Sequence, residues 1–120
     1  MSKLEEEAKK FMQSHNKSLI TAHEYQENCR TTAIYPKKDA IAYLSLGLVS
    51  EAGEVAGKVK KQIRDGTESN IASEIGDVLW YCAMLSSELN VNLGKIMEDN
   101  LRKLNDRKLR GTLRGSGDSR

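Results

Sequence analysis

Two consecutive helical stretches, about 39–64 and 70–90, each carry an apolar stripe with a pair of carboxylates on its shoulder, and few folds accommodate that combination. In the first, Ile41, Leu44, Leu48, Val55, Val59 and Ile63 recur every three, four or seven residues, and Glu51 and Glu54 border the seam. In the second, Ile71, Ile75, Val78, Cys82, Leu85 and Leu89 form the stripe, flanked by Glu74 and Asp77. Each pair is spaced i, i+3, so on a helix its carboxylates stand one above the other. A charge beside a buried seam needs a compensating partner. Packed together, the two helices present four like charges to one another, and such a cluster persists only where cations sit in it.

The rest of the chain reads as helix too. Leu4, Ala8 and Phe11 make a weak amphipathic stretch over 2–12, and Thr21-Ala22-His23-Glu24 has the form of a capping box opening a helix over about 21–32. Pro36 stops it, Asp65-Gly66 ends the third stretch, and a last helix spans about 92–109 with Ile96, Leu101 and Leu104 inward. The predicted fold is all-α, an antiparallel bundle of four to five helices. At 120 residues it forms one domain small enough to complete its core by oligomerisation. We divide it into an N-terminal helical arm at 1–20, a helical domain at 21–110 and a flexible basic tail at 111–120. Cys29 and Cys82 lack metal-ligand spacing and read as reduced thiols, and no apolar run approaches membrane-spanning length, so a cytoplasmic protein without a membrane partner is expected.

An all-carboxylate cluster without histidine selects hard, oxygen-seeking ions, so Glu51, Glu54, Glu74 and Asp77 are candidate ligands for Mg²⁺, with Mn²⁺ as a substitute. Mg²⁺ held this way ordinarily binds substrate phosphates, which points to a phosphorylated small molecule. Lys58 and Lys61 follow on the same side of their helix, and Asn100, Lys103 and Arg107 share a polar side of the last helix, where they are candidates for the outer phosphates. Tyr81, one turn after Asp77, is placed to pack on a base or bond a phosphate, whereas Trp80 is assigned to packing. His23, Tyr25, Gln26, Arg30 and Tyr35 are candidate base readers. One E-x-x-E pair alone is ordinary on a solvated helix face; two on consecutive helices are not. A net charge of +2 argues against nucleic acid as a partner.

Three segments carry a resemblance. Leu46-Gly47-Leu48-Val49-Ser50-Glu51-Ala52-Gly53-Glu54-Val55, Ser73-Glu74-Ile75-Gly76-Asp77-Val78-Leu79-Trp80-Tyr81, and Asn100-Leu101-Arg102-Lys103-Leu104 with Arg107 resemble the MazG-like nucleotide pyrophosphohydrolases of the all-α NTP pyrophosphatase superfamily. The resemblance implies hydrolysis of a nucleoside triphosphate, often a deoxynucleotide, to the monophosphate and pyrophosphate, with Mg²⁺ on Glu51, Glu54, Glu74 and Asp77. It also implies a homodimer or homotetramer with a site that two chains can share. In a mechanism driven by these charges, one carboxylate, Glu51 or Glu54, is the candidate to accept the water proton. The family pattern often has glutamate immediately before the first pair; here Ser50 stands there. That departure keeps open an alternative, a catalytically inactive helical oligomerisation or regulatory module.

Overall fold

A computed structural model describes residues 2–13 and 19–120; part of the expected 1–20 arm, Met1 and 14–18, lies outside the described residues. Five α-helices follow in order, α1 Lys3–Gln13, α2 Ala22–Cys29, α3 Ala40–Asp65, α4 Ile71–Glu88 and α5 Leu93–Arg110, with 3₁₀ turns at Arg30–Thr32 and Lys37–Asp39. Among the described residues there is no strand, and no helix is long and apolar enough to cross a membrane. The all-α expectation holds.

Local chemistry sets the helix ends. Thr21 caps α2: its Oγ1 accepts from Glu24 N at 3.1 Å while its own N–H donates to Glu24 Oε1 at 3.4 Å, the reciprocal box read from the sequence. Asn70 and Asn92 cap α4 and α5 by accepting from Ser73 N and Lys95 N. Gly66 and Gly111 close α3 and α5 at φ 70° and 73°, where a Cβ would be strained.

The long helices α3 and α4 pack antiparallel, and α2 lies against α4 and the start of α5. Side-chain pairs step down the α3–α4 seam in antiparallel order: Gly47 beside Tyr81, Glu51 beside Asp77, Lys58 beside Asn70. The core lies at one end of this pair and comprises Cys29, Tyr35, Ala40, Leu44, Ala83, Met84 and Leu93. Buried Gln26 pins α2 there, since its amide oxygen accepts from Leu93 N at 2.7 Å and its nitrogen donates to Ser87 Oγ and Val91 O. With both ends of the amide satisfied, Gln26 crosses the core without leaving an orphan polar group.

The apolar stripes are less covered than their period suggests. Leu44 is fully buried, but Ile63 is 82% exposed, Ile75 50%, Leu89 59% and Leu101 60%, with Ile41, Val59, Ile96 and Leu104 also exposed. Periodicity identifies the apolar side of a helix without supplying a layer to cover it. The 111–120 tail makes contacts that its composition does not announce. It is irregular but tied to α5: Arg107 Nη2 donates to Asp118 O at 3.0 Å, Arg110 Nη2 to Arg120 O at 2.7 Å, and the Arg120 guanidinium to the carbonyls of Thr112, Leu113 and Gly117. Three arginines donating to backbone carbonyls hold the segment without any helix of its own.

Candidate active site

Midway along the α3–α4 seam, Glu51, Glu74 and Asp77 each bring one carboxylate oxygen to within 4.8 Å of the others. Glu51 and Glu74 are half-buried and Asp77 is exposed at the mouth. The cluster is electrostatically unequal. Burial, then the negative charges of Asp77, Glu74 and Glu54, holds the Glu51 carboxyl above the ordinary glutamate range. Glu74 is held below it, chiefly by the hydrogen bond from Lys58, whose Nζ lies 2.9 Å from Glu74 Oε1. One cation, Lys58, is thus paired with one of the three acids.

The donor set suits a hard divalent cation: three carboxylate oxygens within 4.8 Å of one another and no nitrogen or sulfur. Glu54 stands one turn from Glu51 on the exposed side, close enough to act on its charge, but it is not one of the converging three.

Beside the acids opens a cleft of about 330 Å³ lined by Thr32, Tyr35, Tyr43, Trp80 and Tyr81, with Glu51 and Asp77 on its rim. The rings support one another: Tyr35 and Tyr43 stack at 6.0 Å between centroids, Trp80 meets Tyr35 edge-on at 6.4 Å, and Tyr81 meets Trp80 edge-on at 5.0 Å. Trp80 Nε1 donates to Thr32 Oγ1 at 2.8 Å, which ties the turn after α2 to α4. Trp80, assigned to packing from the sequence, thus also helps to line the cleft. Tyr81 reaches it because Gly47 has no side chain in the way.

The remaining sequence candidates scatter. Lys58 is at the acids, engaged with Glu74 and with Asn70 O, and Lys61 is exposed further along α3. Asn100 is exposed on α5. Lys103 and Arg107 both meet the Asp118 carboxylate at 3.4 Å, so the two cations expected at phosphates are occupied by the chain's own tail. Of the five candidate base readers only Tyr35 lines the cleft. His23, Gln26 and Arg30 line a separate cavity against Asn90 and Asn92, and Tyr25 donates to Gly76 O at 3.3 Å. Sequence reasoning missed Tyr43 and Gly47; a glycine one turn ahead of Glu51 inside a long helix was the available signal for the second.

The model of the MazG nucleotide pyrophosphohydrolase domain matches residues 40–110, which hold every acid of the cluster but not the cleft residues Thr32 and Tyr35. Gene 37 protein of Mycobacterium phage L5 is 44% identical over 109 residues, covering 80% of this chain and 96% of that protein. No solved structure matches the chain.

Proposed function

The chain belongs to the MazG nucleotide pyrophosphohydrolase family, and on that premise we propose that it hydrolyses nucleoside triphosphates to the monophosphate and pyrophosphate. The observation that carries this reading is the convergence of Glu51, Glu74 and Asp77 at the rim of an aromatic cleft of nucleoside size. Acids alone favour a cation, and rings alone favour a flat heterocycle. Their adjacency favours a molecule that has both a base and a phosphate chain.

Glu51, Glu74 and Asp77 would hold Mg²⁺, or Mn²⁺ in its place, which when bound would supply charge neutralisation to the triphosphate and acidity to the attacking water. The rings of Tyr35, Tyr43 and Tyr81 position the base. The attacking water adds to one phosphorus as the bridging P–O bond to the departing pyrophosphate breaks, and the water proton passes to a carboxylate. We assign that proton to Glu54, which would stay free to accept it while the three converging acids hold the cation. Glu54 stands one turn away and outside the converging set. Lys58 shifts from Glu74 to the leaving group, and Lys61 lies one turn further along the path of the phosphates.

The exposed apolar side chains of α3, α4 and α5 favour a homodimer or homotetramer in which a second copy covers them. In such an assembly Asn100 and Lys103 can face a neighbour's phosphates, although in one protomer α5 is remote from α3. Pyrophosphate release across canonical and modified triphosphates, with Mg²⁺ and with Mn²⁺, tests the reading; silence across the whole panel favours the inactive module instead.

A further inference from the structure

We propose that Glu88 is a positioning residue for the aromatic cleft: its carboxylate, together with Lys37, fixes the ring of Tyr35 and so sets nucleotide affinity without touching the reacting atoms. This inference rests on the reading of the cleft as a nucleotide site.

Tyr35 separates two open volumes. On one side is the 330 Å³ cleft; on the other is a cavity of about 490 Å³ lined by Arg30, Ala33, Lys37, Met84, Ser87 and Glu88. The ring is buried and packs on Tyr43 and Trp80, and the open volumes on either side leave part of its surface without dispersion contacts. Its hydroxyl end is held by polar contacts. The Tyr35 hydroxyl donates to Glu88 Oε1, and Lys37 Nζ lies 3.1 Å from the same oxygen and 4.6 Å above the Tyr35 ring centroid. One carboxylate oxygen thus gathers a hydroxyl from the ring's edge and an ammonium from its face. Tyr35 is 8% exposed, so its hydroxyl has few alternative partners in solvent. The held ring in turn stacks on Tyr43 and braces Trp80.

Glu88 is the last residue of α4, eleven positions beyond Asp77, which puts it about 16 Å along the helix axis from the acids. That distance removes it from any contact with a cation or phosphate there. Tyr35 and Lys37 also lie before the family-matched segment, which begins at residue 40, while Glu88 lies within it. The contact therefore ties a wall supplied from outside that segment to the helix that carries Glu74 and Asp77.

The test compares Glu88→Ala and Glu88→Gln in the full chain. Glu88→Ala is expected to raise KM for the triphosphate on the order of tenfold, the loss of one well-placed stacking surface, with kcat kept within about twofold. Glu88→Gln retains an oxygen that accepts the Tyr35 hydroxyl and is expected to recover most of the lost affinity. Trp80, the one tryptophan of the chain, gives a readout apart from turnover: its fluorescence during titration with a nucleoside monophosphate reports the same loss. Should Glu88→Ala not fold, Tyr35→Phe, which removes only the hydroxyl, must reproduce the rise in KM. An unchanged KM in a folded Glu88→Ala protein, a fall in kcat with KM unmoved, or equal impairment by Gln and Ala overturns the proposal. If the unaltered chain releases no pyrophosphate, the hydrolase reading fails on its own, and the fluorescence titration still decides the role of Glu88.

Discussion

Gly47 and Tyr81 occupy one place in the seam: a Cβ on Gly47 would stand 2.1 Å from Tyr81 Cε1. Gly47→Ala therefore swings the Tyr81 ring away, because a side chain yields more readily than two packed helices. Alanine also raises helix propensity by about 1 kcal/mol, which offsets the strain. The expected outcome is a melting temperature within a few degrees of the parent and a KM for triphosphate raised about five- to tenfold. Thermal unfolding and steady-state kinetics on the same preparation check both halves.

Arg107 is expected to serve stability more than phosphate binding. It is 4% exposed, and its Nη2 is committed to Gly117 O, Asp118 O and Asp118 Oδ1. Arg107→Ala is expected to destabilise the fold by about 1–3 kcal/mol, the range for losing hydrogen bonds to a charged group, with KM changed by less than about threefold. Denaturant unfolding alongside kinetics decides it; a phosphate ligand would show the reverse pattern.

These two cases mark how far the sequence carries. Helix ends were legible because they are local: Thr21 with Glu24, Asn70 with Ser73, and the glycines at 66 and 111 act within a few residues of themselves. The acids were legible because i, i+3 spacing on two adjoining helices leaves few other dispositions, although Glu54 is not among the converging three. Contacts between distant residues were not legible. Nothing near Tyr35 announces Glu88, 53 positions away, and nothing near Arg107 announces that a Gly-Ser-Gly-Asp stretch folds back to take its donors. Exposure of Ile63 and Ile75 was illegible for another reason: a stripe specifies its own apolarity and not the body that lies against it.

Stability toward acid should depend on Glu88. Its hydrogen bond from the Tyr35 hydroxyl, and then that from Lys37, holds its carboxyl below the ordinary glutamate range. A depressed folded-state pKa contributes stability that is present above the unfolded value and lost as pH falls through the folded one. Glu88→Gln, which does not titrate, should therefore flatten the acid limb below about pH 4.5 while leaving other transitions in place. Urea midpoints measured from pH 6 downward give the comparison, and parallel acid limbs in the two proteins would remove Glu88 from the account.

Discrimination among bases should be weak. On the proposed reading the cleft would meet a base with the rings of Tyr35, Tyr43, Trp80 and Tyr81 and with Ile34; the hydroxyls of Thr32 and Tyr35 are already engaged by Trp80 and Glu88. Stacking tolerates every base, whereas strong rejection comes from buried edge-reading groups. The expected spread of kcat/KM across the four common triphosphates is below about 200-fold. Competition between pairs of triphosphates measures it directly, and a preference of several thousandfold for one base would show that an edge reader operates there.

The most direct measurement is pyrophosphate release as a function of Mg²⁺ concentration in the parent, Asp77→Asn and Glu54→Gln proteins, with cation binding followed calorimetrically on the same samples. Asp77→Asn should lose cation affinity and turnover together, by about 100-fold or more, whereas Glu54→Gln should retain cation binding within about threefold and lose kcat by about 100-fold. Mg²⁺-dependent turnover that survives undiminished in folded Asp77→Asn would contradict the account at its centre.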